Sequence, residues 1–105
     1  MNKAVDVAAK IRELLEREGP QYAYRIMQTL GLRTYGATEY YLTWGARRGL
    51  WKLTRVSGKV IAYLPGQDPT AALTIRDVIK CLRQYAKDGE PAAKIYVYLR
   101  LCLPT

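Results

Sequence analysis

Six basic side chains, Arg33, Arg47, Arg48, Lys52, Arg55 and Lys59, fall within residues 32–64, where Glu39 is the only acid. That stretch carries a net +5 of the chain's +8, against +1 for residues 1–31 and +2 for residues 65–105. Clustered guanidinium and ammonium groups neutralise and hydrogen-bond phosphates, so a nucleic-acid partner is the first chemistry to consider. An anionic membrane surface is a weaker candidate. The competing reading is a basic surface serving only solubility, which scattered charge would favour.

Other chemistries find little to work with. The sequence has no His, which removes imidazole acid–base catalysis and the common metal sites. Two Cys, at 81 and 102, do not make a zinc site. Ser57 is the only Ser, with no His to activate it. No Gly-rich phosphate loop and no metal-ligand spacing occurs. The acids lie mainly beside basic residues at short helical spacing, which suggests surface pairs. No enzyme activity, metal or cofactor is therefore expected.

With 105 residues, half of them apolar, the chain forms one domain, or a small domain with an extension. No apolar run approaches the roughly 20 residues of a bilayer span, and the N-terminus lacks the apolar stretch of a signal peptide. The expectation is a cytoplasmic protein with no membrane partner. Abundant Arg and Tyr with almost no Asn are compatible with a heat-adapted source.

The elements that must position the basic cluster follow from periodicity. Residues 3–17 place Ala4, Val7, Ala8, Ile11, Leu14 and Leu15 on one helical face. Asn2 is positioned to cap that helix, and Gly19-Pro20 to stop it. Pro20 would open a second helix over 20–30, buried through Tyr22, Ala23, Ile26, Met27 and Leu30 and ended by Gly31. After the short turn 31–34, a third helix spans about 36–48, capped by Thr34 or Gly36 and ended by Gly49. Ala37, Tyr41, Leu42, Gly45 and Ala46 can face inward.

Residues 50–56 and 59–64 read as a two-stranded hairpin with Ser57-Gly58 at its tip. On it, Trp51, Leu53 and Arg55 alternate with Lys52, Thr54 and Val56, and Val60, Ala62 and Leu64 continue the apolar face. A linker over 66–72 leads to a fourth helix at about 74–88, capped by Thr74 with Asp77 in a capping-box position. Residues 91–103 fit a helix or an alternating strand, with helix expected. They are apolar nearly all round, and so would be buried in this domain or against another chain.

Helix, helix, short turn, helix and basic hairpin is an order that resembles a winged helix-turn-helix domain over residues 3–64. Gln21-Tyr22-Ala23-Tyr24-Arg25-Ile26 is similar to the second helix of small archaeal and bacterial regulators of the PadR and MarR kind. Arg48-Gly49-Leu50-Trp51 resembles their step from third helix to wing, and the Ser57-Gly58 tip between Arg55 and Lys59 resembles a wing tip. The resemblance implies a mainly α fold with a small β-hairpin, and one or two C-terminal helices. Residues 1–66 would be the winged helix-turn-helix domain and 67–105 a helical extension. It further implies a DNA-binding transcription regulator of an archaeon or its virus, dimeric through residues 70–103. Two departures stand out: Tyr40, Tyr41 and Trp44 make the third helix unusually aromatic, and the tail is short for a long dimer coiled coil.

Within that frame each candidate residue takes a role. Gly36, Glu39, Tyr40, Thr43 and Arg47 share one face of the third helix. Arg47 would donate to guanine or phosphate, Thr43 and Tyr40 would touch base edges, and Glu39 would accept from cytosine. Arg33, Thr34 and Tyr35 would clamp phosphates at the helix approach. Arg48 would add positive charge at its end, and Lys52, Arg55 and Lys59 would grip the neighbouring backbone or minor groove. The alternative is a solvated helix face and an edge ribbon carrying charge against aggregation. Tyr40, Tyr41 and Trp44 could instead stack unpaired bases, although core positions suit Tyr41 and Trp44 better.

Cys81 and Cys102 lie symmetrically about residues 89–91. An antiparallel pairing of the last two segments would set the sulfurs level for a disulfide, against the alternative of two buried thiols. Two rival functions stay open. One is a winged helix used as a protein–protein module, and the other is an RNA or single-strand binder using Tyr35, Tyr40 and the wing.

Overall fold

The structure, a computed structural model, describes residues 3–56, 58–86, 89 and 91–102. Asn2 and Ser57, the expected helix cap and half of the expected hairpin tip, lie outside the described residues. The described elements are α1 (Lys3–Glu18), β1 (Gln21–Tyr22), α2 (Ala23–Leu30), α3 (Tyr35–Arg47), β2 (Lys52–Val56) and β3 (Lys59–Tyr63). A 3-10 turn (Pro69–Ala72), α4 (Ile75–Tyr85) and α5 (Ala92–Cys102) follow. The fold is thus mainly helical with a small antiparallel sheet.

The α1 stripe is buried at Ala4, Val7, Ala8, Ile11, Leu14 and Leu15. From Val7 onward it meets Ala23 and Ile26 of α2, Leu42 of α3, and Val60, Ala62 and Leu64 of the hairpin in one core that includes Trp51. Burial of these aliphatic side chains contributes on the order of 2 kcal/mol each before entropy is charged against it. Trp51 is 2% exposed, and its indole N–H donates to Leu42 O at 3.0 Å. That bond satisfies the one polar atom the ring brings inside. Its ring lies where a side chain on Gly45 would have to go, so the missing Cβ is what lets α3 close on the hairpin.

Two expectations for the sheet are corrected. Pro20 does not open a helix: Gln21 and Tyr22 form β1, and α2 begins at Ala23. The sheet therefore has three strands in the order β1-β3-β2. Gln21 pairs with Ala62 and Tyr22 with Ile61 on one side of β3, while Leu53 pairs with Ala62 and Arg55 with Val60 on the other. The central strand β3 is buried at three successive residues, Val60, Ile61 and Ala62, whereas a half-solvated ribbon would alternate. Val56, expected on the polar side, is buried as well. It shares with Ile61 the face from which Tyr22 and Lys59 reach α4.

The turns bear out the local chemistry. Gly31 adopts φ +66°, and its N–H and that of Leu32 return to the last carbonyls of α2. Thr34, not Gly36, caps α3 by accepting from the Ala37 N–H at 3.0 Å. Arg12 of α1 donates to Leu50 O at 2.6 Å and to Glu16 at 3.2 Å. It thereby ties α1 to the chain leaving α3. The linker is structured, with Asp68 capping the 3-10 turn by accepting from the Thr70 N–H. Gln67 bridges Leu64 N and Leu15 O.

At the C-terminal end, the Thr74–Asp77 capping box opens α4. The helix stops at Tyr85 with Ala86 as its cap, short of Gly89. Residues 92–102 are helical, and α5 packs on α4 through a stacked Tyr85–Tyr98 pair. Cys81 and Cys102 are disulfide-bonded, with their Cα atoms 5.7 Å apart. Of the two burials expected for this last segment, within the domain or against another chain, the first does not hold for Tyr96, Val97 and Leu101, which are 74%, 59% and 60% exposed. Among the described residues no helix is long and apolar enough to cross a membrane.

Candidate nucleic-acid interface

Helix α3 turns its small and branched residues inward, burying Thr38, Leu42 and Gly45. The Thr38 hydroxyl is satisfied by donating to Thr34 O at 3.0 Å. This orientation leaves Glu39, Tyr40, Thr43 and Arg47 exposed along the outer face. Tyr40 is 61% exposed and sets its ring edge-on to Tyr41. Tyr41 and Trp44 are partly buried against the core. They therefore belong to packing more than to an outer stacking surface.

The hairpin lies beside this face. Glu39 and Thr43 of α3, with Thr54 and Arg55 of β2, rim a groove of about 250 Å³ floored by Leu42, Leu53 and Val60. The structure thus brings Glu39, Thr43 and Arg55 together. Lys52 is exposed and pairs with Tyr63 at the far end of the hairpin from the turn. Arg33 and Thr34 are exposed at the approach to α3, the Thr34 hydroxyl being occupied as the cap. Arg48 is exposed but held: its guanidinium sits 3.8 Å over the Trp44 ring and donates to Trp44 O at 3.0 Å.

Lys59 and Tyr35 belong to a different groove. This one, of about 440 Å³, lies between the start of α2, Tyr35 and the strand leaving the hairpin turn. Tyr22, Tyr24, Arg25 and Gln28 line it with Gly58 and Lys59. Sequence reading missed Tyr24, Arg25 and Gln28. The available signal was their position on α2 opposite the buried Ala23 and Ile26.

Lys59 is not a free wing-tip charge. Its Nζ lies 2.6 Å from Asp77 Oδ1. Asp77 Oδ2 accepts from the Tyr22 hydroxyl, from Thr74 N at 3.1 Å and from the Thr74 hydroxyl at 2.9 Å. Asp77 is 6% exposed, an exception to the expectation that the acids lie mainly in surface pairs. Burial alone would push its carboxyl up. The Lys59 ammonium, then the Tyr22 hydroxyl and Thr74, overcome this and hold it well below the usual carboxylate range. Burial, reinforced by the bond to Asp77, pushes the Tyr22 hydroxyl well above its ordinary value. Among the described residues no group of His, Cys, Asp or Glu could hold a metal ion.

Compared with known proteins, the chain matches no family model, no curated protein and no solved structure.

Proposed function

We propose that residues 3–64 are a winged helix-turn-helix domain that binds double-stranded DNA as a transcription regulator. Helix α3 would enter the major groove, and β2–β3 would lie on the backbone as the wing. The observation that carries this reading is the exposed row Glu39, Tyr40, Thr43 and Arg47 on α3, with Arg55 across the adjoining groove. The element order and the short turn between α2 and α3 support it. So does the net charge of +5 over residues 32–64.

Roles divide by position. Arg47 and Thr43 face base edges, and Glu39 selects for a donor such as the cytosine amino group. Arg33, Lys52 and Arg55 hold phosphates without reading sequence. Arg48, spread over Trp44, stiffens the end of α3 while keeping its charge outward. The test is a set of duplexes differing at single positions. Arg47→Ala should relax discrimination at one or two base pairs, and Arg55→Ala should weaken all duplexes alike. Duplex binding indifferent to both substitutions rules the arrangement out.

A homodimer through residues 70–103 belongs to the same proposal, because two-fold related α3 helices read half-sites one DNA turn apart. Exposed Tyr96, Val97 and Leu101 on α5 support it. Sedimentation should give twice the 12.0 kDa chain mass, falling to the monomer in Leu101→Lys. A wild-type monomer at all concentrations refutes the dimer.

A further inference from the structure

The groove beside the hairpin turn has a chemistry of its own. Three tyrosines line it, Tyr22, Tyr24 and Tyr35, together with Arg25, Lys59 and the Gln28 amide. Two of its walls are fixed. The Tyr22 hydroxyl is bonded to Asp77, and Lys59 Nζ is bonded to the same carboxylate while sitting 5.0 Å from the Tyr22 ring centroid. The other two rings are uncommitted. Tyr24 and Tyr35 are 57% and 37% exposed. Neither makes a ring contact or side-chain hydrogen bond among the described residues. Arg25 is exposed and pairs with no acid among the described residues.

Flat aromatic walls with a free guanidinium at the rim suit a flat, hydrogen-bonding ring attached to a phosphate. At about 440 Å³ the groove lies within the roughly 300–1,000 Å³ range of small-ligand sites. A base inside a duplex offers only its edges, whereas these walls require its face. The site also adjoins the surface assigned to duplex DNA, since Tyr35 opens α3 and Lys59 opens β3.

We propose that this groove binds one unpaired nucleotide, with its base against Tyr24 and Tyr35 and its phosphate on Arg25. Gln28 offers both an acceptor and donors to the base edge. Lys59, neutralised by Asp77, serves to position the Tyr22 wall and not as a phosphate ligand. Stacking on tyrosine tolerates any base, so the site discriminates paired from unpaired nucleotides and not one base from another. The inference rests on the nucleic-acid reading, shares Tyr35 with the approach to α3, and otherwise uses different ligand residues, Tyr24, Arg25 and Gln28.

The test is fluorescence anisotropy with a ten-nucleotide oligothymidylate and an abasic strand of the same length, with a blunt duplex titrated in parallel. The oligothymidylate should bind about tenfold tighter than the abasic strand. Tyr24→Ala/Tyr35→Ala should erase that difference, and Tyr40→Ala should leave it. The comparison of the two strands on the wild-type protein needs no variant to fold. Equal binding of both strands, binding of neither, or a difference that survives the double substitution overturns the proposal. Blunt-duplex affinity of the wild-type protein reports separately on the duplex reading.

Discussion

Lys59 Nζ lies 2.6 Å from Asp77 Oδ1, so the strand leaving the hairpin turn is pinned to the first turn of α4. One carboxylate joins β1 through Tyr22, β3 through Lys59 and the N-terminus of α4 through Thr74. It fastens the C-terminal helices to the sheet, and it spends a charge that would otherwise face a phosphate.

Stability should therefore fall at both ends of the pH scale. Asp77 has a folded value below its unfolded one, so its contribution is present above about pH 4 and drains as pH falls towards the folded value. Tyr22 has a folded value above its unfolded one, so its contribution is present below about pH 10 and is lost above it. Thermal melts across pH should show a plateau between. Asp77→Asn should make the acid limb shallower, and Tyr22→Phe the alkaline limb. Each should lower the plateau by about 1–2 kcal/mol, the ion pair being half solvated through Lys59. An acid limb unchanged in Asp77→Asn would place the titrating groups elsewhere.

Gly45→Ala should be costly although α3 is helical there and alanine is the better helix former. Its Cβ would fall on the Trp51 ring, which is buried and fixed by its bond to Leu42 O. Overpacking of this kind costs about 1–3 kcal/mol. Denaturant unfolding should show that loss. An alanine variant as stable as wild type would mean that Trp51 has room to move.

The Cys81–Cys102 bond should matter locally. Besides it, α5 meets α4 through the Tyr85–Tyr98 stack. In the chain-entropy description, opening the loop costs about 3 kcal/mol. The Cys81→Ser/Cys102→Ser variant should exchange amide hydrogens over 92–102 much faster, with 7–15 protected as before. Unchanged exchange over 92–102 would show that packing alone holds α5.

The wing charges should not be equivalent. Arg55 is exposed with no ion pair among the described residues, whereas Lys59 is matched by Asp77. Arg55→Ala should reduce the salt slope of duplex binding by about one unit, and Lys59→Ala by clearly less. Equal slopes for the two variants would show that DNA draws Lys59 away from Asp77.

Much of this architecture was legible in the sequence, where a local rule governed it. The α1 stripe, the Gly31 turn, the Thr34 cap and the Thr74–Asp77 box depend on residues within a turn of each other. What escaped depends on distant partners. Two residues, Gln21 and Tyr22, carry no period to read. They become a strand only because β3 offers an edge. Asp77 was legible as a cap but not as the partner of Lys59, 18 residues earlier. In the candidate site, the exposure of Glu39, Tyr40, Thr43 and Arg47 followed from helical spacing. The tyrosine groove did not, because it joins the start of α2 to the hairpin turn across the sheet.

The central claim is that residues 32–64 form a phosphate-facing surface, and the salt dependence of duplex binding tests it most directly. Random-sequence duplex DNA would be titrated by anisotropy at several salt concentrations, beside an Arg47→Ala/Arg55→Ala/Lys59→Ala triple variant. The account predicts that log Kobs falls with log salt at a slope of about −4 to −5, from roughly five neutralised phosphates, and that the variant loses about two units of that slope together with most of its affinity. A slope near zero, or a variant that binds as the wild type does, would contradict it and turn the search to protein partners.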